Sequence, residues 1–230
     1  MTHLDTELKN LKTDMIEMFG LVLSQLNKSQ EALINLDKDL AREVLINERR
    51  VNGFELKIDR DCENIIALFN PVAVDLRFVL ATMKINSNLE RIGDIAEGIC
   101  QFVLNIKLEP EKELLAKTRI VEMFETGASI LEDVMNAFEK EDTRLARSVF
   151  KNDEILDEIN INSTQAVADF IRANPERINQ SLYTLSTIRK LERVGDQCKN
   201  IAEEIIFYIE AKVLKHKPRA QKQQMNDDEI

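Results

Sequence analysis

Two short acidic segments carry most of the chemical potential of this chain. Leu-Glu-Arg-Ile-Gly-Asp occupies 89–94 and Leu-Glu-Arg-Val-Gly-Asp occupies 191–196, an offset of 102 in 230 residues. On a helix, where each residue turns about 100°, Leu89, Ile92, Ala96 and Ile99 share an apolar face, and Glu90, Asp94 and Glu97 form an acidic stripe beside it. The second copy places Leu191, Val194, Cys198 and Ile201 inward and Glu192 and Asp196 on the stripe. Gly93 and Gly195 fall between the two stripes. A glycine in mid-helix costs about 0.8–1 kcal/mol relative to alanine. Its recurrence predicts that another part of the chain approaches the backbone closely there.

Few other groups could react. The two histidines, His3 and His216, lie near the chain ends. That leaves almost nothing for histidine-dependent hydrolysis or for histidine-ligated zinc or di-iron chemistry. Cys62, Cys100 and Cys198 are far apart, without CxxC pairing, on apolar helical faces, as structural thiols in a reducing cytoplasm would be. No nucleophile has a base in a recognisable pattern, so the chain reads as a non-enzyme. Two readings of the acidic stripes stay open on spacing alone. One is a solvated edge, with Arg49, Arg91, Lys190 or Arg193 offsetting its charge. The other is a hard cation held by oxygen ligands, which suit magnesium, calcium, manganese or ferric iron better than zinc.

Composition points to long helices as the scaffold. Six glycines, four prolines and 5% aromatics are few, and leucine, isoleucine, alanine, glutamate and lysine dominate. A net charge of −10 argues against a nucleic-acid partner, which would call for a basic face. There is no apolar run of about 18 residues, so no membrane insertion is expected, and the first ten residues lack the basic-then-apolar order of a signal peptide.

Apolar periodicity predicts one helix from Leu4 to about Asn35. A second, capped by Asp37, runs to Phe69 and is ended by Asn70-Pro71. A third covers about Val72 to Ile106, with Pro110 marking the midpoint. The second half then replays the first. MIEMF at 15–19 returns as IVEMF at 120–124, and DKDLAREV at 37–44 as DTRLARSV at 142–149, both at an offset of 105. Asn70-Pro71 returns as Asn174-Pro175. Four landmarks in one order indicate a duplicated unit. The expected fold is all-α, two tandem three-helix bundles of six long helices packed side by side. The first repeat is 1–108, the second is 109–214, and 215–230 is a disordered tail. The last helix is read from about Glu176 to Leu214, with Lys212, Lys215 and Lys217 at its C-terminal dipole and Pro218 closing it.

Helices joined by the tight turns at Asn70 and Asn174 must run antiparallel, so residues equally far from a turn lie at one height. Glu48 and Asn52 then face Glu90 and Asp94, and Asp153 and Asp157 face Glu192 and Asp196. Glu55 and Asp59 face no acid and read as a solvated edge.

With these residues the chain resembles the PhoU family of phosphate-transport regulators over about residues 5–212. The carriers are the two LER(I/V)GD segments, NPVAVDLRFVLATMK at 70–84, LERVGDQCKNIAEE at 191–204, and the acid-xxx-Asp/Asn pairs at 48–52 and 153–157. The resemblance implies metal on paired E(D)xxxD(N) motifs: Glu48, Asn52, Glu90 and Asp94 in one half, Asp153, Asp157, Glu192 and Asp196 in the other. Iron is the first choice, with manganese, magnesium or zinc as alternatives. Two departures stand out: Asn52 offers a neutral oxygen, and Lys199 stands where Glu97 would be, one turn beyond the second motif. The resemblance further implies a cytoplasmic negative regulator of phosphate-starvation signalling, peripheral at the inner membrane through its partners. Those partners would be the ATPase subunit of a phosphate ABC transporter and a phosphate-sensing histidine kinase, and the protein would be a homodimer. Alternatives are a helical module of another phosphate carrier and a carboxylate-metal phosphohydrolase.

Overall fold

The computed structural model describes residues 2–214. These form α1 (His3–Asn35), α2 (Lys38–Phe69), α3 (Ala73–Asn105), α4 (Lys112–Thr118), α5 (Ile120–Lys140), α6 (Thr143–Ala173), a 3-10 turn (Pro175–Arg177) and α7 (Ile178–Glu210). No strand occurs among the described residues. Six long helices thus stand as the periodicity requires, and a short one, α4, precedes the second set. Arg119 separates α4 from α5 by taking left-handed dihedrals, φ 52°. Residues 215–230, read as a tail from sequence, lie outside the described residues.

The duplication extends to the caps. Asp37 accepts from the backbone of Asp39 and Leu40, and Asp142, 105 residues on, accepts from Arg144 and Leu145. Each cap satisfies two donors that a helix start leaves open. The two Asn-Pro turns differ in detail. Asn70 ends α2 in the left-handed region, φ 46°, whereas Asn174 has φ −137° and turns its side-chain amide back to the Phe170 carbonyl.

Within each half the helices pack on one another: α1 with α2 and α3, α5 with α6 and α7. The halves meet where α3 lies against α7 and α1 against α5. An aromatic cluster fills this junction: Phe78 lies 6.0 Å from Phe138 and 5.5 Å from Tyr208, and Phe19 lies 5.7 Å from Phe138. Polar pairs stitch α3 to α7. Lys84 Nζ reaches Glu204 Oε2 at 3.0 Å, and Asn200 Nδ2 donates to Asn88 Oδ1 at 3.3 Å. The buried core is continuous across both halves.

One helix boundary is corrected. α7 stops at Glu210, well before Pro218, because Ala211 takes a left-handed C-cap, φ 56°. Arg147 grips Glu210 with two hydrogen bonds, 2.7 and 2.8 Å, and Leu214 folds back to be buried. The chain thus leaves the helix axis to cover an apolar side chain. Lys212 pairs with Glu210 at 3.2 Å.

Candidate metal centre in two acidic seams

Both glycines of the duplicated segment sit where a neighbouring helix presses on the backbone. A Cβ built on Gly93 would lie 3.1 Å from Glu48 Oε2 and 3.1 Å from Val51 Cγ1, both on α2. A Cβ on Gly195 would collide with Asp153 Oδ1 and lie 2.7 Å from Leu156 Cδ1, both on α6. The glycines therefore let a buried carboxylate lie across the helix that carries the other acids. This brings Glu48 level with Asp94, and Asp153 level with Asp196, as the antiparallel register predicts.

In the first seam, Glu48 is only 4% exposed, and neither carboxylate oxygen has a hydrogen-bond partner. Burial, and then the charges of Asp94, Glu97 and Glu90, push its pKa up to about 7, with Gln25 opposing. The Gln25 amide donates instead to the Val44 carbonyl at 3.0 Å. Glu90 is half-buried, and its pKa is raised by burial and by Asp94 and Glu55. Asp94 and Asn52 are exposed at the rim. Glu55 is half-buried, and its pKa is raised by burial and then by Asp59 and Asp94. Asp59 accepts from Asn86 Nδ2 at 2.9 Å.

The second seam has the same layout with a different filling. Asp153 is buried, and Asp157, Glu192 and Asp196 are partly so. Lys199 curls back one turn and sets its ammonium 2.5 Å from Asp153 Oδ2 and 2.8 Å from Asp196 Oδ1. Burial raises the Asp153 pKa while Lys199 pulls it down; Glu192 is raised by burial, Asp196 and Asp157. Lys199 therefore stands between the two aspartates, closer in than a cation one turn beyond the motif. Sequence reasoning placed this lysine on the helix but not its four-carbon reach.

As the side chains stand, no three or more His, Cys, Asp or Glu residues among those described converge tightly enough to hold an ion. The donor chemistry of the first seam nonetheless fits a hard cation. Its oxygens are carboxylate and amide, one carboxylate is desolvated without a partner, and like charges raise its proton affinity. Residues able to contribute are Glu48, Asn52, Glu90 and Asp94. The three cysteines are buried, and burial pushes the thiols of Cys62 and Cys100 up to about 12, so they remain protonated packing groups.

No helix among the described residues is long and apolar enough to cross a membrane. The PhoU domain family model matches residues 15–103 and 120–205, one match on each half of the duplication. The phosphate-specific transport system accessory protein PhoU of Edwardsiella tarda is 34% identical over 212 residues, covering 92% of this chain and 86% of that protein. The crystal structure of PhoU from Pseudomonas aeruginosa superposes with a TM-score of 0.84 at 30% identity, over 90% of this chain and 99% of its own. That of the phosphate transport system regulatory protein PhoU from Streptococcus pneumoniae gives 0.83 at 28% identity, over 93% and 100%. Duplicated helices, close-approach glycines and whole-chain similarity lead to one conclusion: this chain belongs to the PhoU family.

Proposed function

We propose that this protein is an accessory regulator of phosphate uptake that works by protein contact, coupling a phosphate ABC transporter to a phosphate-sensing histidine kinase, with a metal ion as a structural ligand of its first acidic seam. Whole-chain similarity to accessory proteins of the phosphate-specific transport system carries the role. The buried, partnerless Glu48 carboxylate carries the ion. The reading is non-enzymatic, cytoplasmic and homodimeric. In support of docking, exposed apolar side chains mark both Asn-Pro ends: Leu68, Val72 and Val74 at the first turn, Ile178 and Leu182 just past the second. Such groups favour contact with another protein surface.

Deletion in the native host tests the role. Phosphate-starvation genes are expected to be expressed in rich phosphate once the gene is removed, and normal repression would refute the assignment. Elemental analysis of natively purified protein, with and without Glu48→Gln, tests the ion. Iron or manganese should be present in the wild type and lost in the variant.

A further inference from the structure

We propose that Lys199 is a tethered cation that fills the second seam in place of a metal ion, so that this protein takes metal in its first half only. The inference rests on the reading of the acidic seams as cation sites. It departs from the symmetric picture in which both E(D)xxxD(N) pairs are loaded.

The two halves offer a comparison within one chain. Gly93 and Gly195, Asp94 and Asp196, and Glu97 and Lys199 are related by the same offset of 102. In the first half the position three residues after the aspartate is Glu97, whose charge adds to the burden on Glu48. No ion pair to Glu48, Glu90, Asp94 or Glu97 occurs among the described residues, and both Glu48 oxygens are buried without a donor. In the second half the position is Lys199, whose ammonium bridges the deep aspartate and the rim aspartate at 2.5 and 2.8 Å. That bridge is the task a hard cation would perform between the same two carboxylates. The lysine side chain is only 17% exposed, so its charge is held in the seam rather than waved in solvent. A divalent ion would have to displace it, losing one of its carboxylate contacts and bringing two positive charges together in a half-buried space.

The test uses the full chain, stripped of metal, reloaded with manganese and assayed for bound metal per chain. Wild type, Glu48→Gln, Asp196→Asn, Lys199→Met, Lys199→Gln and the double variant Lys199→Met/Asp196→Asn are compared, with folding checked by circular dichroism. The wild-type metal count is expected to fall on Glu48→Gln and stay unchanged on Asp196→Asn. Lys199→Met and Lys199→Gln should both raise the count, and the gain should vanish in the double variant. Stripped of metal, Lys199→Met should melt about 5 °C or more below wild type, because Asp153 loses its counter-charge. A lower metal count in Asp196→Asn than in wild type overturns the inference, as does the absence of any gain in both Lys199 variants. A wild type that binds no manganese while Lys199→Met does refutes metal in the first half and upholds only the part of the inference in which Lys199 closes the second seam.

Discussion

Gly195 of α7 and Asp153 of α6 lie so close that any side chain at 195 would collide with Oδ1 of the carboxylate whose Oδ2 pairs with Lys199. At Gly93 the equivalent clearance is 3.1 Å, tight but open to a small adjustment of Glu48. Alanine gains roughly 0.8–1 kcal/mol over glycine in a helix. Overpacking a close helix contact costs typically 1–3 kcal/mol. Gly195→Ala is therefore expected to destabilise the protein by about 1–2 kcal/mol, and Gly93→Ala by less than half of that. Urea unfolding of the two variants checks the order.

Glu48 should give the metal-free protein an unusual pH dependence. Burial and the neighbouring acids push its carboxyl up to about 7 in the fold, against an ordinary 4.5. The folded state thus keeps a proton that the unfolded chain has already released. Stability from this group falls as pH rises from 4.5 toward 7 and is flat above, a loss of about 3 kcal/mol. Glu48→Gln should abolish that slope and raise the melting temperature of metal-free protein at pH 8. Added manganese should stabilise the wild type and leave the variant unmoved.

The Arg147–Glu210 pair works in the opposite sense and in another window. Hydrogen bonds from Arg147 hold the Glu210 pKa down to about 2, against the cost of burial, with Thr143 and Lys212 assisting. A depressed carboxyl contributes stability above 4.5 that is lost as pH falls toward 2. Arg147→Met should cost about 2–4 kcal/mol at neutral pH and flatten the acid limb of the stability profile. Chemical denaturation between pH 2.5 and 7 measures both.

The buried thiols give a simple probe of integrity. Cys62, Cys100 and Cys198 are enclosed, and burial favours their protonated form. A thiol-specific chromogenic reagent should find them unreactive at pH 8 in the native protein and titrate three on denaturation. Their reaction rate then reports opening of α2, α3 and α7.

Much of this molecule is legible in the chain. The repeated landmarks gave the helix order, the Asn-Pro turns gave the antiparallel register, and the glycines announced the close approach that Glu48 and Asp153 make. What failed to show was set by side-chain reach and long-range packing. Lys199 bends back over one turn to reach Asp153 and Asp196. The left-handed Ala211 cap ends α7 at Glu210, whose carboxylate pairs with Arg147, 63 residues away. No local propensity encodes that partner.

The lateral packing of α3 on α7 has a mechanical corollary. Each of these rods is a wall of its own acidic seam and also the wall between the halves, tied across by Lys84–Glu204 and Asn200–Asn88. Any widening of the gap between α2 and α3 must be absorbed either by bending a 33-residue helix or by shifting its neighbour α7. A well-packed interior resists the first, so strain at one flank is delivered across the whole width of the bundle.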